Sequence, residues 1–312
     1  VEGAGGLLGG ASGVGGADGL GGVGEARRSF EGRRQLGSSV GVVVAVDAGV
    51  DGLVVEGGEG GGFKSPTPVA TMVLLPLVRS KVDVPIIAAG GVTDGYTMAA
   101  AFALGAEGVQ MGTRMVSAAE SPVHQNWKQA IIDAAETDTL FLNQRHSPAL
   151  RALRTERTAA LVNAEHNVFG DFGDPQALYF GGDMNAAIAL SGQVAGRIGS
   201  VRSVADIIND TIDEFHDALL AFKTQDASGT GKTIPLSFMP GSWCGDIVDL
   251  IAALGGVPDN MDHRIVQDDK VIFTPTQDGY KKAIQTLHEW YQEGLIDPES
   301  FSQDDKAYLA KG

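Results

Sequence analysis

A formal charge of −16 over 312 residues argues against a nucleic acid or an anionic membrane surface as partner, since either requires a basic footprint. The apolar share of 43% is ordinary for a globular protein, and no apolar run approaches the roughly 20 residues that span a bilayer. A single cysteine, Cys244, excludes an internal disulfide.

Residues 1–40 are roughly one-third glycine without a triplet repeat, which predicts disorder: so few apolar side chains cannot offset the backbone entropy of so many glycines. They contain no basic stretch followed by an apolar one, so a secretory signal is not expected. Ser38 and Ser39 are suited to cap a helix over the apolar run 42–46, which Asp47 to Gly49 would end. Residues 52–56 read as a buried strand and 57–62 as a glycine-rich acidic loop. The pattern then predicts a helix over 69–80, a strand over 85–89, a helix over 96–104 stopped by Gly105, and a strand over 108–111. Such alternation indicates a parallel α/β sheet or barrel with its site at the C-terminal ends of the strands. Two strands end there on glycine turns, Gly90-Gly91 and Gly112-Thr113. Side-chain-free backbone with a hydroxyl beside it suits a phosphate.

The stretches PIIAAGGVTDGYTMAAAFALGAEGVQMGTR (85–114) and AGVDGLVVEGGEGGGF (48–63) resemble the flavin-dependent barrel family of nitronate monooxygenases and flavin enoyl-ACP reductases. The resemblance implies FMN as cofactor, with Ala89, Gly90, Gly91, Met111, Gly112 and Thr113 around its phosphate and Glu56 and Gly57 at the neighbouring strand end. It also implies a small-molecule substrate. Many family members carry a histidine after the glycines as base; here Phe63 stands in that slot and cannot accept a proton. No catalytic residue is therefore assigned. A nitronate, already deprotonated, does not need that base.

Beyond Arg114 the pattern is helical. Ser121 and Pro122 suit the N-cap and first position of a helix, AESPVHQNWKQAI resembles the same family, and His124 reads as a rim histidine that orients that helix. One further helix is predicted over 147–163 and two more over 181–222, the second capped by Ser203. Gln193 reads as a packing residue. The resemblance extends over 41–222, where only three strands are evident against the eight of a closed barrel. The predicted fold is thus α/β, the late βα units of a TIM-barrel-like FMN domain, with an unpaired sheet edge through which chains could self-associate.

The text changes at Lys223. TQDASGTGK is a polar linker and a natural domain boundary. Its GTGKT is not a P-loop, because Asp226 stands where that motif needs glycine. Beyond it a strand over 234–238, a helix over 246–254, a strand near 271–273 and an amphipathic helix are expected. The run TQDGYKKAIQTLHEWYQEGLIDPESF resembles the extracellular solute-binding lipoproteins of ABC importers, implying that 223–312 are a small α/β fragment of a periplasmic-binding-protein-like fold. Trp243 and Trp290 read as core aromatics before sugar platforms, Asp268-Asp269 and Asp304-Asp305 as solvated pairs before a metal site, and Cys244 as a small buried hydrophobe.

Three functional expectations follow. The first is an FMN oxidoreductase that oxidises nitronates, in a cytoplasmic setting, with enoyl-ACP reduction as its family alternative. The second is a solute-binding module, whose relatives are extracytoplasmic. The third is an inactive composite of two partial sequences.

Overall fold

The computed structural model describes residues 46, 49, 50, 52–240 and 247–311. The described residues belong to one compact unit. The expectations for residues 1–40, for the Ser38 and Ser39 caps, for most of the first helix, and for Trp243, Cys244 and Asp246 lie outside the described residues.

The first layer is a parallel sheet. Strand β1 (Leu53–Glu56) is followed by β2 (Gly62–Lys64), which leaves for a second sheet, then helix α1 (Thr71–Arg79), β3 (Ile86–Ala89), α2 (Gly95–Ala103) and β4 (Gly108–Gln110). The order β1-β3-β4 is parallel throughout, with Val54 opposite Ile87 and Ala89 opposite Gln110. Leu74, Leu75 and Val78 of α1 and Ala101 of α2 pack with Val55, Ile86 and Ala88 on one face of this sheet. The α1 sequence TMVLLPLVR is apolar on every side, so Met72, Val73 and Leu77 opposite the buried face are exposed. Helix α2 begins with a capping box, Asp94 accepting from the Thr97 amide and Thr97 returning to the Asp94 amide. Its first residue, Gly95, lies against a later helix so closely that an added Cβ would fall 2.3 Å from the Phe215 amide nitrogen.

A short helix α3 (Thr113–Val116) leads to α4 (Gln125–Ile132). Helix α4 starts later than Ser121 and Pro122 predict, because the His124 amide bonds the Tyr179 carbonyl at 2.7 Å and His124 becomes the cap. Strands β5 (Thr139–Leu142) and β6 (Ala149–Leu153) follow, then α5 (Glu156–Leu161) and α6 (Pro175–Tyr179). The single helix predicted over 147–163 is therefore a strand and a short helix. The helix-favouring run Ala-Leu-Arg-Ala-Leu is central in an antiparallel sheet of order β2-β6-β5, and Ala149, Leu150 and Ala152 are fully buried there. Pairing on both edges outweighs intrinsic propensity. The first of the two helices predicted over 181–222 is likewise absent. That segment runs extended, bridging Ala152 to Leu190 and Gly173 to Ala187, and contains only the 3₁₀ turn Gln193–Arg197. Burial of Ala187, Ile188 and Ala189 between two core clusters draws it against the sheet.

The 21-residue helix α7 (Val204–Thr224) is capped by Ser203 as expected. After it come α8 (Ile247–Gly255), the hairpin β7 (Arg264–Gln267) and β8 (Lys270–Phe273), α9 (Asp278–Gln292) and α10 (Asp305–Leu309). The strand predicted over 234–238 is reduced to one bridge, Leu236 to Ile296. Asp268 and Asp269, with φ of 50° and 58°, make the hairpin turn that the sequence did not reveal. One core joins Ala99 of α2 and Phe215 and Leu219 of α7 to Ile251 of α8 and Ala283, Leu287 and Trp290 of α9. Trp290 is 4% exposed and is a core aromatic.

Candidate functional site

Gly90 and Gly91 follow β3 with φ of +79° and +82°, a backbone region that glycine enters without strain. Gly112 follows β4, the adjacent strand, and Thr113 opens α3. The two turns expected from the sequence thus stand side by side at one sheet edge. An added Cβ on Gly112 meets nothing within 4 Å, so there is free space above that turn. On Gly90 it would lie 3.0 Å from the Gly57 oxygen and the Gly60 nitrogen: the acidic loop rests directly on the first turn.

That loop is held by five residues around it. The Glu59 carboxylate accepts from the Thr71 amide at 3.0 Å to each oxygen and from the Thr71 hydroxyl at 3.0 Å, doing for α1 what its N-cap residue Ala70 cannot. Lys64 donates to the Gly61 carbonyl at 2.9 Å and pairs with Glu56 at 2.7 Å. Arg151 donates to the Gly58 carbonyl at 2.6 Å. The Gly57 amide bonds Ala89 at 3.0 Å, and the Gln193 amide bonds Glu59 at 2.9 Å. Burial pushes the Lys64 amine below its ordinary range, and Glu56 only partly offsets it.

The loop closes against Ser191 and Gly192. A Cβ on Gly61 would sit 2.6 Å from the Ser191 carbonyl carbon, and the Gly192 amide donates to the Thr113 hydroxyl at 2.9 Å. Thr113 acts as acceptor in that bond and so keeps its own hydroxyl hydrogen for a ligand. Ser191 is 2% exposed and its hydroxyl is buried without a partner. An unsatisfied buried hydroxyl is costly and marks a place where a ligand oxygen could bind. Free space over Gly112, two side-chain-free turns, a spare hydroxyl hydrogen on Thr113 and an orphaned hydroxyl on Ser191 fit a phosphate.

Of the residues singled out from the sequence, Ala89, Gly90, Gly91, Met111, Gly112 and Thr113 lie at these two strand ends. Gly57 lies against the first of them, where a side chain would strike the Thr71 hydroxyl at 2.0 Å. Glu56 is engaged by Lys64. Phe63 is 47% exposed and stacks on Phe169, with ring centres 5.8 Å apart. His124 accepts from the Asn126 amide at 3.1 Å and serves as a helix cap. Nothing local in the sequence marks Glu59, Ser191 or Gly192: Glu59 is one acidic residue in a glycine-rich loop, and Ser191 and Gly192 meet Gly61 and Thr113 only through the fold. Asp304 caps α10, and among the described residues no three of His, Cys, Asp or Glu converge as a metal would require. No helix among them is long and apolar enough to cross a membrane.

The parallel sheet, the antiparallel sheet and the helices between them define a mixed α/β protein. The sequence pattern of the nitronate monooxygenase family matches residues 35–214, more than half of the chain, and the chain belongs to that family. It is 35% identical over 133 residues to the probable nitronate monooxygenase of Staphylococcus saprophyticus, covering 39% of this chain and 38% of the relative. FabK from Thermotoga maritima, a barrel protein of known structure, is 35% identical with a TM-score of 0.57, covering 60% of this chain and 61% of that one. The chain is also 41% identical over 105 residues to the fructooligosaccharide ABC transporter substrate-binding protein FusA of Streptococcus pneumoniae, covering 33% of this chain and 19% of FusA. The chain spans about a third of the length of the curated nitronate monooxygenase it matches.

Proposed function

We propose that the chain is the phosphate-gripping part of an FMN-dependent oxidoreductase of the nitronate monooxygenase type. The observation that carries this reading is the pair of glycine turns on adjacent parallel strands, one with free space above it, flanked by the orphaned Ser191 hydroxyl. Backbone amides of Gly90, Gly91 and Gly112 would hold the phosphate, with hydroxyls of Thr113 and Ser191 donating to its oxygens. Ala89 and Met111 set the strand ends, Gly57 lets the acidic loop pass beneath, and Glu56 holds Lys64 in place. FMN, when bound, supplies the redox chemistry, and the protein positions it.

Phe63 in the slot of the usual base favours a substrate that arrives already deprotonated, which supports nitronate oxidation over proton abstraction from a neutral nitroalkane. Titration of FMN with the purified chain, followed by quenching of flavin fluorescence, tests the reading. Saturable quenching is expected, with Thr113→Val weakening it about tenfold, the worth of one hydrogen bond to a charged group. Absence of saturation, or a Thr113→Val variant that binds as well as the parent, overturns it.

A further inference from the structure

We infer that Lys64 is a positioning residue of the phosphate cradle, acting through Gly61 on the segment that carries Ser191 and Gly192. Its side chain is 4% exposed, an unusual place for a lysine. The three ammonium protons meet three acceptors: the Glu56 carboxylate at 2.7 Å, the Gly61 carbonyl at 2.9 Å and the Phe63 carbonyl at 3.2 Å. Lys64 stands on β2 of the antiparallel sheet, and Glu56 ends β1 of the parallel one. The ammonium thus clips the two sheets together at the root of the acidic loop. Arg151, Thr71, Ala89 and Gln193 hold Gly57, Gly58 and Glu59. Lys64 holds the Gly61 carbonyl.

Gly61 is where the loop touches the opposite wall of the cradle. An added Cβ there would fall 2.6 Å from the Ser191 carbonyl carbon and 2.7 Å from the Gly192 nitrogen. That same Gly192 amide fixes the Thr113 hydroxyl as acceptor, and Ser191 carries the unpartnered hydroxyl. With Lys64 in place, Gly61 backs this segment and both hydroxyls keep their orientation. Without it, Gly61 is free to draw back, the Gly192 amide loses its support, and the Thr113 hydroxyl turns. An ion pair that merely stabilises the fold would affect every ligand alike. A positioning residue of this cradle acts on the phosphate alone.

The phosphate in question is that of the FMN proposed above, and the role of Lys64 toward a ligand rests on that reading, so the test has one readout with ligand and one without. The 312-residue chain and its Lys64→Met variant are titrated with FMN and with riboflavin, which lacks the phosphate. The parent's preference for FMN should fall about tenfold in the variant, the worth of one hydrogen bond to a charged group, while riboflavin affinity stays unchanged. Without flavin, the Gly192 amide should exchange its hydrogen roughly fivefold faster in the variant. The double variant Lys64→Met with Glu56→Gln, which leaves no unpaired carboxylate, carries both readouts if the single one does not fold. A preference for FMN that survives, or an equal loss of both flavins, overturns the inference. An unaltered Gly192 exchange rate overturns it whether or not flavin binds. A parent that binds neither flavin sinks the FMN reading, and the exchange rate then decides on Lys64 alone.

Discussion

Asp94 caps α2 a few residues beyond the first glycine turn. Its carboxylate accepts from the Thr97 amide at 2.8 Å and from the Arg197 guanidinium, tying the start of α2 to the segment that carries Ser191 and Gly192. Burial alone would push the Asp94 carboxyl up. The Thr97 amide, the Arg197 guanidinium and the Thr97 hydroxyl outweigh it and hold the carboxyl below its ordinary range. A carboxylate whose pKa is lowered by folding stabilises the native state above its unfolded pKa, about 3.9, and loses that contribution as the pH falls through the lower folded value. Asp94→Ala should therefore cost about 1–2 kcal/mol at pH 7, the range of a lost N-cap, and the gap should narrow below roughly pH 4. Urea unfolding at pH 7, 5 and 3 checks this; a gap that stays constant to pH 3 would show that the charge plays no part.

At the scale of the element, the acidic loop shows why its glycines are needed. A Cβ on Gly61 would meet the backbone of Ser191 and Gly192 at 2.6 to 2.8 Å, and backbone cannot step aside as a flexible side chain can. Gly112 is the opposite case: φ is −92° and a Cβ meets nothing within 4 Å. Gly61→Ala is thus expected to lose roughly 1–3 kcal/mol of stability through overpacking, whereas Gly112→Ala should unfold like the parent. If the free space above Gly112 receives the phosphate, Gly112→Ala should nonetheless weaken FMN binding, because its methyl group stands in that space. Equal thermal stability of the two variants would refute the packing account, and unaltered FMN affinity in Gly112→Ala would refute the placement of the phosphate.

At the scale of the molecule, the core shared by α2, α7, α8 and α9 joins the flavin-family part to the part resembling a solute-binding protein. Phe215 of α7 packs on Trp290 of α9, their ring centres 6.0 Å apart. Lys223 donates to the Glu293 carbonyl, and His216 meets Glu293 at 2.6 Å. The loop after α7, residues 226–232, is largely exposed and joins the two parts. Trypsin should cut there, after Lys232, as a boundary at 223 requires, and the two fragments should still co-elute under native conditions. Fragments that separate without denaturant would mean that the shared core does not hold the parts together.

The sequence by itself determined the β1-α1-β3-α2-β4 alternation, both glycine turns and the Ser203-capped helix α7. Each is local: a run of apolar residues, a glycine at a strand's end, a hydroxyl before a helix. Trp290 as a core residue was legible for the same reason, from its spacing along α9. Only the tertiary structure decided that Ala149–Leu153 is a strand, because its helix-favouring residues are claimed by partners on both edges. It alone placed His124 as the cap of α4, through the Tyr179 carbonyl far along the chain. The site divides in the same way. Gly90, Gly91, Gly112 and Thr113 could be read from two short motifs, while Glu59 and Ser191 acquire meaning only when the loop after β1 folds back on β3 and the segment before Gln193 closes over it. Such contacts are set by sequence separations of up to 130 residues or so, over which no local pattern carries information.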